Sequence, residues 1–317
     1  MSETVAVTGA AGFIGRWVVA ELLDRRHTVY GLDNFSNGSE RNIKEFRDND
    51  RFHIYEGDVR SREDVSRLFG HDVDACIHLA AEIDVQESLE DPEAHFEANV
   101  VGTQNVLEAC REDNTRLGLV GTCMVYDMVD SETGISEEHS TKPASPYAGS
   151  KLAAEDMAEG YYHGYDLPIT ILRPFNTYGP YQKTGMAGGV VSIFTSRDIR
   201  GEPLKIFGDG AQTRDLLYAT DCAQFIVEGT FSDETVGEVI NAGTGADVSI
   251  NELAELIATD GTDITHVEHH HPQSEVRKLL CDPTKANDVL DWEAEVTLEE
   301  GISRLRTWLH ESEEVAK

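Results

Sequence analysis

Thr122, Tyr147 and Lys151 bring a hydroxyl, a phenol and an amine together in an order that suits proton transfer. Tyr147 and Lys151 are four residues apart, so on a helix they share one face. An ammonium beside a phenol stabilises the phenolate and is expected to bring its pKa from about 10 toward neutrality. Tyr147 could then act as general base toward a hydroxyl. Thr122 stands 25 residues before Tyr147, at the end of an apolar run, and can hydrogen-bond to the same hydroxyl. A Tyr–Lys pair alone decorates many helices; Thr122 gives this one a chemical context. Upstream, Gly9, Gly12 and Gly15 have the spacing G-x-x-G-x-x-G, with Phe13 and Ile14 opening a helical pattern. Such a turn lets backbone N–H groups approach a pyrophosphate at a helix N-terminus. Asp33 then closes the second apolar run, and Asn34 comes next. A carboxylate there accepts from ribose hydroxyls and repels a 2′-phosphate, which favours NAD over NADP. The bland alternative for Asp33 is a turn carboxylate. Asp58 comes after the third run, within reach of an adenine.

These residues need elements to hold them. The first half of the chain alternates short apolar runs with helical patterns, the signature of an α/β doubly wound parallel sheet of the Rossmann type. Strands are expected over Thr4–Val7, Thr28–Leu32, Phe52–Tyr55, Ala75–Leu79, Leu117–Gly121 and Ile169–Leu172. Helices are expected over Phe13–Leu23, Pro92–Cys110 and Pro146–Gly164, two of them opened by a first-turn proline. After Arg173, glycine and proline become frequent through Gly210. That texture reads as a smaller lobe with substrate loops. Val239–Asn241 reads as a return to the sheet, and Ile250–Ile257 and Leu298–Leu309 as helices. The expected division is residues 1–175 for the cofactor and 176–317 mainly for the substrate, the two interleaved.

The chain carries 26 basic and 59 acidic residues, a formal charge of −33 over 317 residues. Such a surface repels DNA and RNA, so no nucleic-acid partner is expected. The acid is scattered and lysine is scarce, a pattern that suits solubility in concentrated salt. An ordinary acidic cytosolic enzyme is the alternative. No apolar run is long enough for a bilayer, and the N-terminus enters a strand rather than a signal peptide. The expectation is a cytoplasmic protein without a membrane partner. Five cysteines are widely spaced, with no close pair of the metal or redox type.

The ordered motifs resemble the extended short-chain dehydrogenase/reductase family, in particular its nucleotide-sugar epimerases and dehydratases of the UDP-glucose 4-epimerase type. They are the opening glycines, Asp33-Asn34, His78-Leu79-Ala80-Ala81, Asn99-Val100-Val101-Gly102-Thr103 and Thr122 through Tyr126. Tyr147-x-x-x-Lys151, Arg173 through Pro180, Gly208-Asp209-Gly210 and Arg214-Asp215 complete the set. The resemblance implies NAD contacts from Val59, Leu79, Ala80, Ala81 and Asn99 as well as Tyr147 and Lys151. It implies oxidation of a sugar at carbon 4, with Tyr147 taking the hydroxyl proton. It also implies a homodimer through the helices after Pro92 and Pro146.

The two residues after Thr122 bear on the reaction. Relatives that dehydrate place Asp-Glu there, decarboxylases a glutamate, and epimerases small or neutral residues. This chain has Cys123-Met124, so the simplest expectation is a 4-epimerase acting on a UDP-hexose or UDP-N-acetylhexosamine. Cys123 leaves a dehydratase open, because a thiol of lowered pKa could serve as acid or base. Filling the pocket is its plainer role. A catalytically silent NAD-binding protein is a third reading, against which the intact Thr122, Tyr147 and Lys151 speak. On the substrate side the resemblance assigns Asn176 and Arg214 to the diphosphate and Phe207 to the base. A structural pairing of Arg214 with Asp215 is the alternative. Relatives carry a further arginine where this chain reads His269-His270-His271-Pro272-Gln273, and Arg277 could substitute. Three adjacent histidines rarely converge on one ion, so no metal is expected.

Overall fold

The apolar runs become strands buried on both faces: Val5, Ala6 and Val7 have no exposed surface. This is how a parallel sheet covered by helices is expected to read. The computed structural model describes residues 2–127, 134–184, 188–268 and 277–315. Its strands begin with β1 (Thr4–Thr8), β2 (Thr28–Asp33), β3 (Phe52–Glu56), β4 (Ala75–His78), β5 (Arg116–Val120) and β6 (Ile169–Pro174). They continue with β7 (Asn176–Tyr178), β8 (Leu204–Phe207), β9 (Thr213–Tyr218), β10 (Val239–Ala242), β11 (Asp247–Ser249), β12 (Ile264–Val267) and β13 (Lys278–Leu279).

Seven strands form one sheet in the order β10-β6-β5-β4-β1-β2-β3, with every neighbouring pair parallel. The chain moves outward from β1 in one direction through β2 and β3, then in the other through β4, β5 and β6. The loops after β1 and β4 therefore diverge, and the crevice between them is where an open α/β sheet binds ligands. On one face, Val5, Val7 and Ile77 pack against helices Phe13–Asp24 and Ala219–Phe231. On the other, Ala6, Leu32 and Leu119 pack against helices Arg62–Phe69, Gly102–Asp113 and Pro146–Tyr165. Beyond the sheet, β9 pairs with β7, β11 and β13, and β8 pairs with β12. A separate cluster of Tyr178, Phe194, Leu204, Leu253 and Leu305 fills this smaller part.

The expected strands of the sheet are present, with ends shifted by at most two residues, as in the extension of Ile169–Leu172 to Pro174. Three departures matter. The run expected as one helix from Pro92 to Cys110 contains a π-turn, Glu97–Val101, between α-helices Pro92–Phe96 and Gly102–Asp113. Helix Val190–Ile199 lies inside the glycine-rich stretch read as loops. Helix Leu298–Val315 outruns its expected end. The histidine run His269–His271, with Pro272 and Gln273, lies outside the described residues.

Candidate active site

The glycine turn forms one wall of a cleft of about 460 Å³. Gly9 has φ +71°, and a Cβ there would lie 2.8 Å from the Ala80 amide nitrogen. A Cβ on Gly15 would collide with the Gly9 carbonyl oxygen. Both positions require glycine because the turn, the helix and the end of β4 meet without room for a side chain. Gly12 caps the Phe13–Asp24 helix without a side-chain acceptor, and Gly12, Phe13, Ile14 and Gly15 all line the cleft. The first-turn N–H groups are thus available to an anion.

Asp33 is buried at the end of β2. Its Oδ2 accepts from the Ala11 amide at 2.8 Å and its Oδ1 from the Phe35 amide at 2.8 Å. Burial raises its pKa, and these amides work against the rise. At the rim, Arg60 donates to Asp58 through Nε at 2.9 Å and Nη2 at 2.7 Å, and Asn34 Nδ2 donates to it at 2.9 Å. The Arg60 bonds hold the Asp58 carboxyl down to about 2. Asn34, Asp58, Val59, Leu79, Ala80 and Ala81 all line the cleft.

Thr122, Tyr147 and Lys151 meet at its floor. Ser145 caps the Pro146–Tyr165 helix by accepting from the Ala148 amide at 3.2 Å, which fixes the turn bearing Tyr147. Thr122 Oγ1 accepts from the Met124 amide at 3.2 Å, and both Thr122 and Tyr147 line the cleft. Lys151 Nζ donates to the Val120 carbonyl at 2.7 Å. One expectation is reversed. Burial pushes the Tyr147 phenol up to about 12 rather than toward neutrality, while Thr122 pulls it back. Burial also pushes Lys151 down to about 8, against the pull of Glu155. Desolvation is the largest influence on both groups, and the protein groups alone favour the neutral phenol.

Cys123 also lines the cleft, and burial pushes its thiol up to about 12; the Arg214 charge opposes that rise and Asp215 adds to it. The surroundings thus keep the thiol protonated, contrary to what a Cys123 base requires.

A buried chain ties the cofactor wall to the helices. Thr103 donates to the Asn99 carbonyl, so its oxygen accepts from His78 Nε2 at 3.0 Å, and His78 Nδ1 accepts from Thr8 at 2.6 Å. This assigns a neutral His78, in keeping with burial pushing its pKa down to about 3. Asn99 sits in the π-turn and does not line the cleft. Its amide donates to the Glu82 carbonyl and to Ser150 Oγ, each at 2.9 Å, and its Oδ1 accepts from the Glu82 amide at 2.8 Å. It braces the loop after β4 rather than facing a ligand.

The expected substrate residues do not converge in the same way. Asn176 lines the cleft and donates to the Asp215 carbonyl at 3.1 Å. Phe207, half exposed at the end of β8, and Arg277, exposed before β13, do not line it. Arg214 does not line it either; its Nη1 donates to the Thr213 carbonyl at 2.7 Å. The Asp215 carboxylate, fully buried, accepts from Thr244, Gly245 and Cys281 instead of closing a structural pair with Arg214. Asn37, Glu82, Tyr181 and Lys183 also line the cleft and were not expected there from sequence. Lys183 donates to Asn37 Oδ1 at 2.7 Å, and Asn37 donates to Glu82 at 2.8 Å, spanning three loops. The position of Asn37 and Glu82 just past the carboxyl ends of β2 and β4 was the available signal.

A parallel sheet with its crevice at the β1 switch point, a glycine cradle with no room for a Cβ at Gly9 or Gly15, and a Thr–Tyr–Lys floor define a dinucleotide-dependent oxidoreductase-type site. The residues fit a dinucleotide. The family model described as GDP-mannose 4,6-dehydratase matches residues 6–305, and the chain belongs to this family of short-chain-dehydrogenase-type epimerases and dehydratases. It is 35% identical over 307 residues to the UDP-glucose 4-epimerase of Mycolicibacterium smegmatis, covering 94% of this chain and 96% of that one. The crystal structure of Pal from Bacillus thuringiensis is similar at TM-score 0.95 and 50% identity, covering 98% of this chain and 99% of that one. The UDP-glucose 4-epimerase of Thermus thermophilus, solved in complex with NAD, is similar at TM-score 0.88 and 31% identity, covering 97% and 99%.

Proposed function

We propose that the protein is an NAD-dependent nucleotide-sugar 4-epimerase, acting on a UDP-hexose or UDP-N-acetylhexosamine through a transient 4-keto sugar. The observation that carries this reading is the meeting of Thr122, Tyr147 and Lys151 beside the glycine cradle, with Cys123-Met124 standing where carboxylates would drive elimination. NAD, when bound, supplies the hydride acceptor and donor at carbon 4. Gly9–Gly15 bind its pyrophosphate and Asp33 its ribose. Tyr147 receives the hydroxyl proton, Thr122 orients the hydroxyl, and the Lys151 ammonium offsets the burial that otherwise keeps Tyr147 neutral. Asn176, Arg214, Phe207 and Arg277 serve the nucleotide half of the substrate. Residues 1–175 form the cofactor domain and 176–317 mainly the substrate lobe.

Incubation with UDP-glucose, UDP-galactose and their N-acetylamino counterparts tests this, read by mass and proton NMR. An epimer at unchanged mass supports it; a product lighter by one water replaces it with dehydration. That second reading rests on the place of Cys123 in the cleft lining, against the burial that holds its thiol protonated. Exposed Leu89, Phe96 and Tyr165, on the helices after Asp84, Asp91 and Ser145, support a homodimer. Among the described residues no helix is long and apolar enough to cross a membrane. A cytoplasmic setting, salt-rich in view of the −33 charge, completes the reading.

A further inference from the structure

One turn beyond Lys151 on the same helix face stands Glu155, 2% exposed. Arg173, from β6, donates to its Oε2 through Nε at 3.1 Å and Nη2 at 2.6 Å. The other oxygen, Oε1, is buried without a hydrogen-bond partner. Both side chains press on Gly121, between the end of β5 and Thr122. A Cβ on Gly121 would overlap Glu155 Oε1 and would lie 3.0 Å from Arg173 Cγ. Lys151 Nζ donates at 2.7 Å to the carbonyl of Val120, the other end of the same peptide unit. The ammonium and the carboxylate thus bracket the Val120–Gly121 peptide. Arg173 cannot swing away, because its guanidinium lies 4.8 Å from the Tyr126 ring centroid and Tyr126 donates to Asn241 at 2.8 Å. A buried pair of this kind adds little stability over an apolar replacement, so stability alone does not account for it.

We propose that Glu155, clamped by Arg173 against the Val120–Gly121 peptide, is a positioning residue that keeps Lys151 as the ammonium at the floor of the cleft. The proposal rests on the reading of Lys151 as the partner of Tyr147. Glycine at 121 is the space the carboxylate needs. The Glu155 charge opposes the burial that drives Lys151 down, and it also adds a small rise to Tyr147. Removing it therefore lowers the proton affinity of both groups. The groups facing them are Thr122 and Cys123 after β5, Arg173 on β6, His95 with its ring 6.5 Å from that of Tyr147, and neutral His78.

The test is the titration of Lys151 in the full chain, tracked by NMR of lysine labelled at Cε and assigned with Lys151→Met. In Glu155→Gln the Lys151 midpoint is expected to fall by one unit or more, leaving about tenfold less ammonium on its alkaline side. The alkaline limb of NAD affinity should move down with it. Glu155→Gln strands Arg173 without its partner, so Glu155→Gln/Arg173→Met is measured as well; it removes both buried charges and should keep a lowered midpoint. Glu155→Asp should restore part of the shift. A Lys151 midpoint unchanged in the double variant, with only the melting temperature altered, overturns the proposal. A wild type that turns over no nucleotide sugar would remove the epimerase reading, while the midpoint still decides this one.

Discussion

Around the glycine cradle, side chains are fixed by backbone amides at the ends of adjacent strands of one sheet: Asp33 by the Ala11 and Phe35 amides, Thr8 by those of Leu79 and Ala80. On the sugar side the expected contacts lie on β7, β8, β9 and the chain before β13, and of the four only Asn176 lines the cleft. The cofactor wall is set by one parallel sheet whose strand ends arrive in register. The proposed sugar side draws on small sheets separate from it. Cofactor binding and sugar chemistry are therefore separable by substitution, and the residues at the seam decide both.

The largest separation is expected from Tyr147→Phe. It removes the phenol oxygen and leaves the ring packing beside His95. Turnover should fall by about 10²–10⁴-fold, the usual weight of a general base, while NAD affinity changes little. Rates with a turned-over nucleotide sugar and calorimetric NAD binding measure the two sides. Substantial residual turnover removes Tyr147 from the base position.

Lys151→Met tests the same seam through stability. The folded Lys151 pKa of about 8 lies below the ordinary 10.5. Between those values the unfolded chain binds more protons than the folded one, so stability gains with rising pH across roughly pH 8–10. Above about 10 the raised Tyr147 pKa acts in the opposite sense. Methionine removes the buried charge. The variant should lose activity, gain about 1–3 kcal/mol at pH 7, and lose the rise with pH. Urea midpoints at pH 7 and 9.5 in one salt concentration are sufficient; a variant less stable than wild type at pH 7 contradicts the burial argument.

Cys123→Ala acts on the sugar side. With its thiol held protonated by burial, Cys123 contributes packing among Val125, Phe175 and Cys281. Epimerisation should stay within about threefold of wild type, and the chain should lose about 1–2 kcal/mol of stability. A fall beyond about 100-fold would assign Cys123 to the chemistry and favour dehydration.

The same contrast explains what could be read from the chain. Strands and cradle were legible because their signals are local: alternating apolar runs, glycine spacing, a carboxylate at a strand end. The Pro146 helix was legible from its proline and its Tyr–Lys spacing. Three things were not. The π-turn around Asn99 changes hydrogen bonding without changing the apolar pattern. The reversed shift of Tyr147 depends on how much water the fold removes, which spacing does not encode. The absence of Arg214, Phe207 and Arg277 from the cleft lining depends on how β8, β9 and β13 are placed by two small sheets built from separate parts of the chain.

Asp33→Asn should give the smallest effect and bears only on the cofactor side. Asparagine keeps one acceptor oxygen for the Ala11 or Phe35 amide and loses the charge. Its NH₂ group would face an amide donor, so the turn should loosen slightly. If the carboxylate accepts from ribose and repels a 2′-phosphate, the preference for NAD over NADP should drop by about tenfold, a change of about 1.4 kcal/mol. Most of that drop should come from tighter NADP binding, since repulsion is what the substitution removes. Dissociation constants for both dinucleotides at one ionic strength measure it, because salt screens the repulsion in both proteins. An unchanged ratio would leave Asp33 as a turn residue that organises Ala11 and Phe35, and the cofactor wall would then owe its selectivity to Asn34 and Asp58.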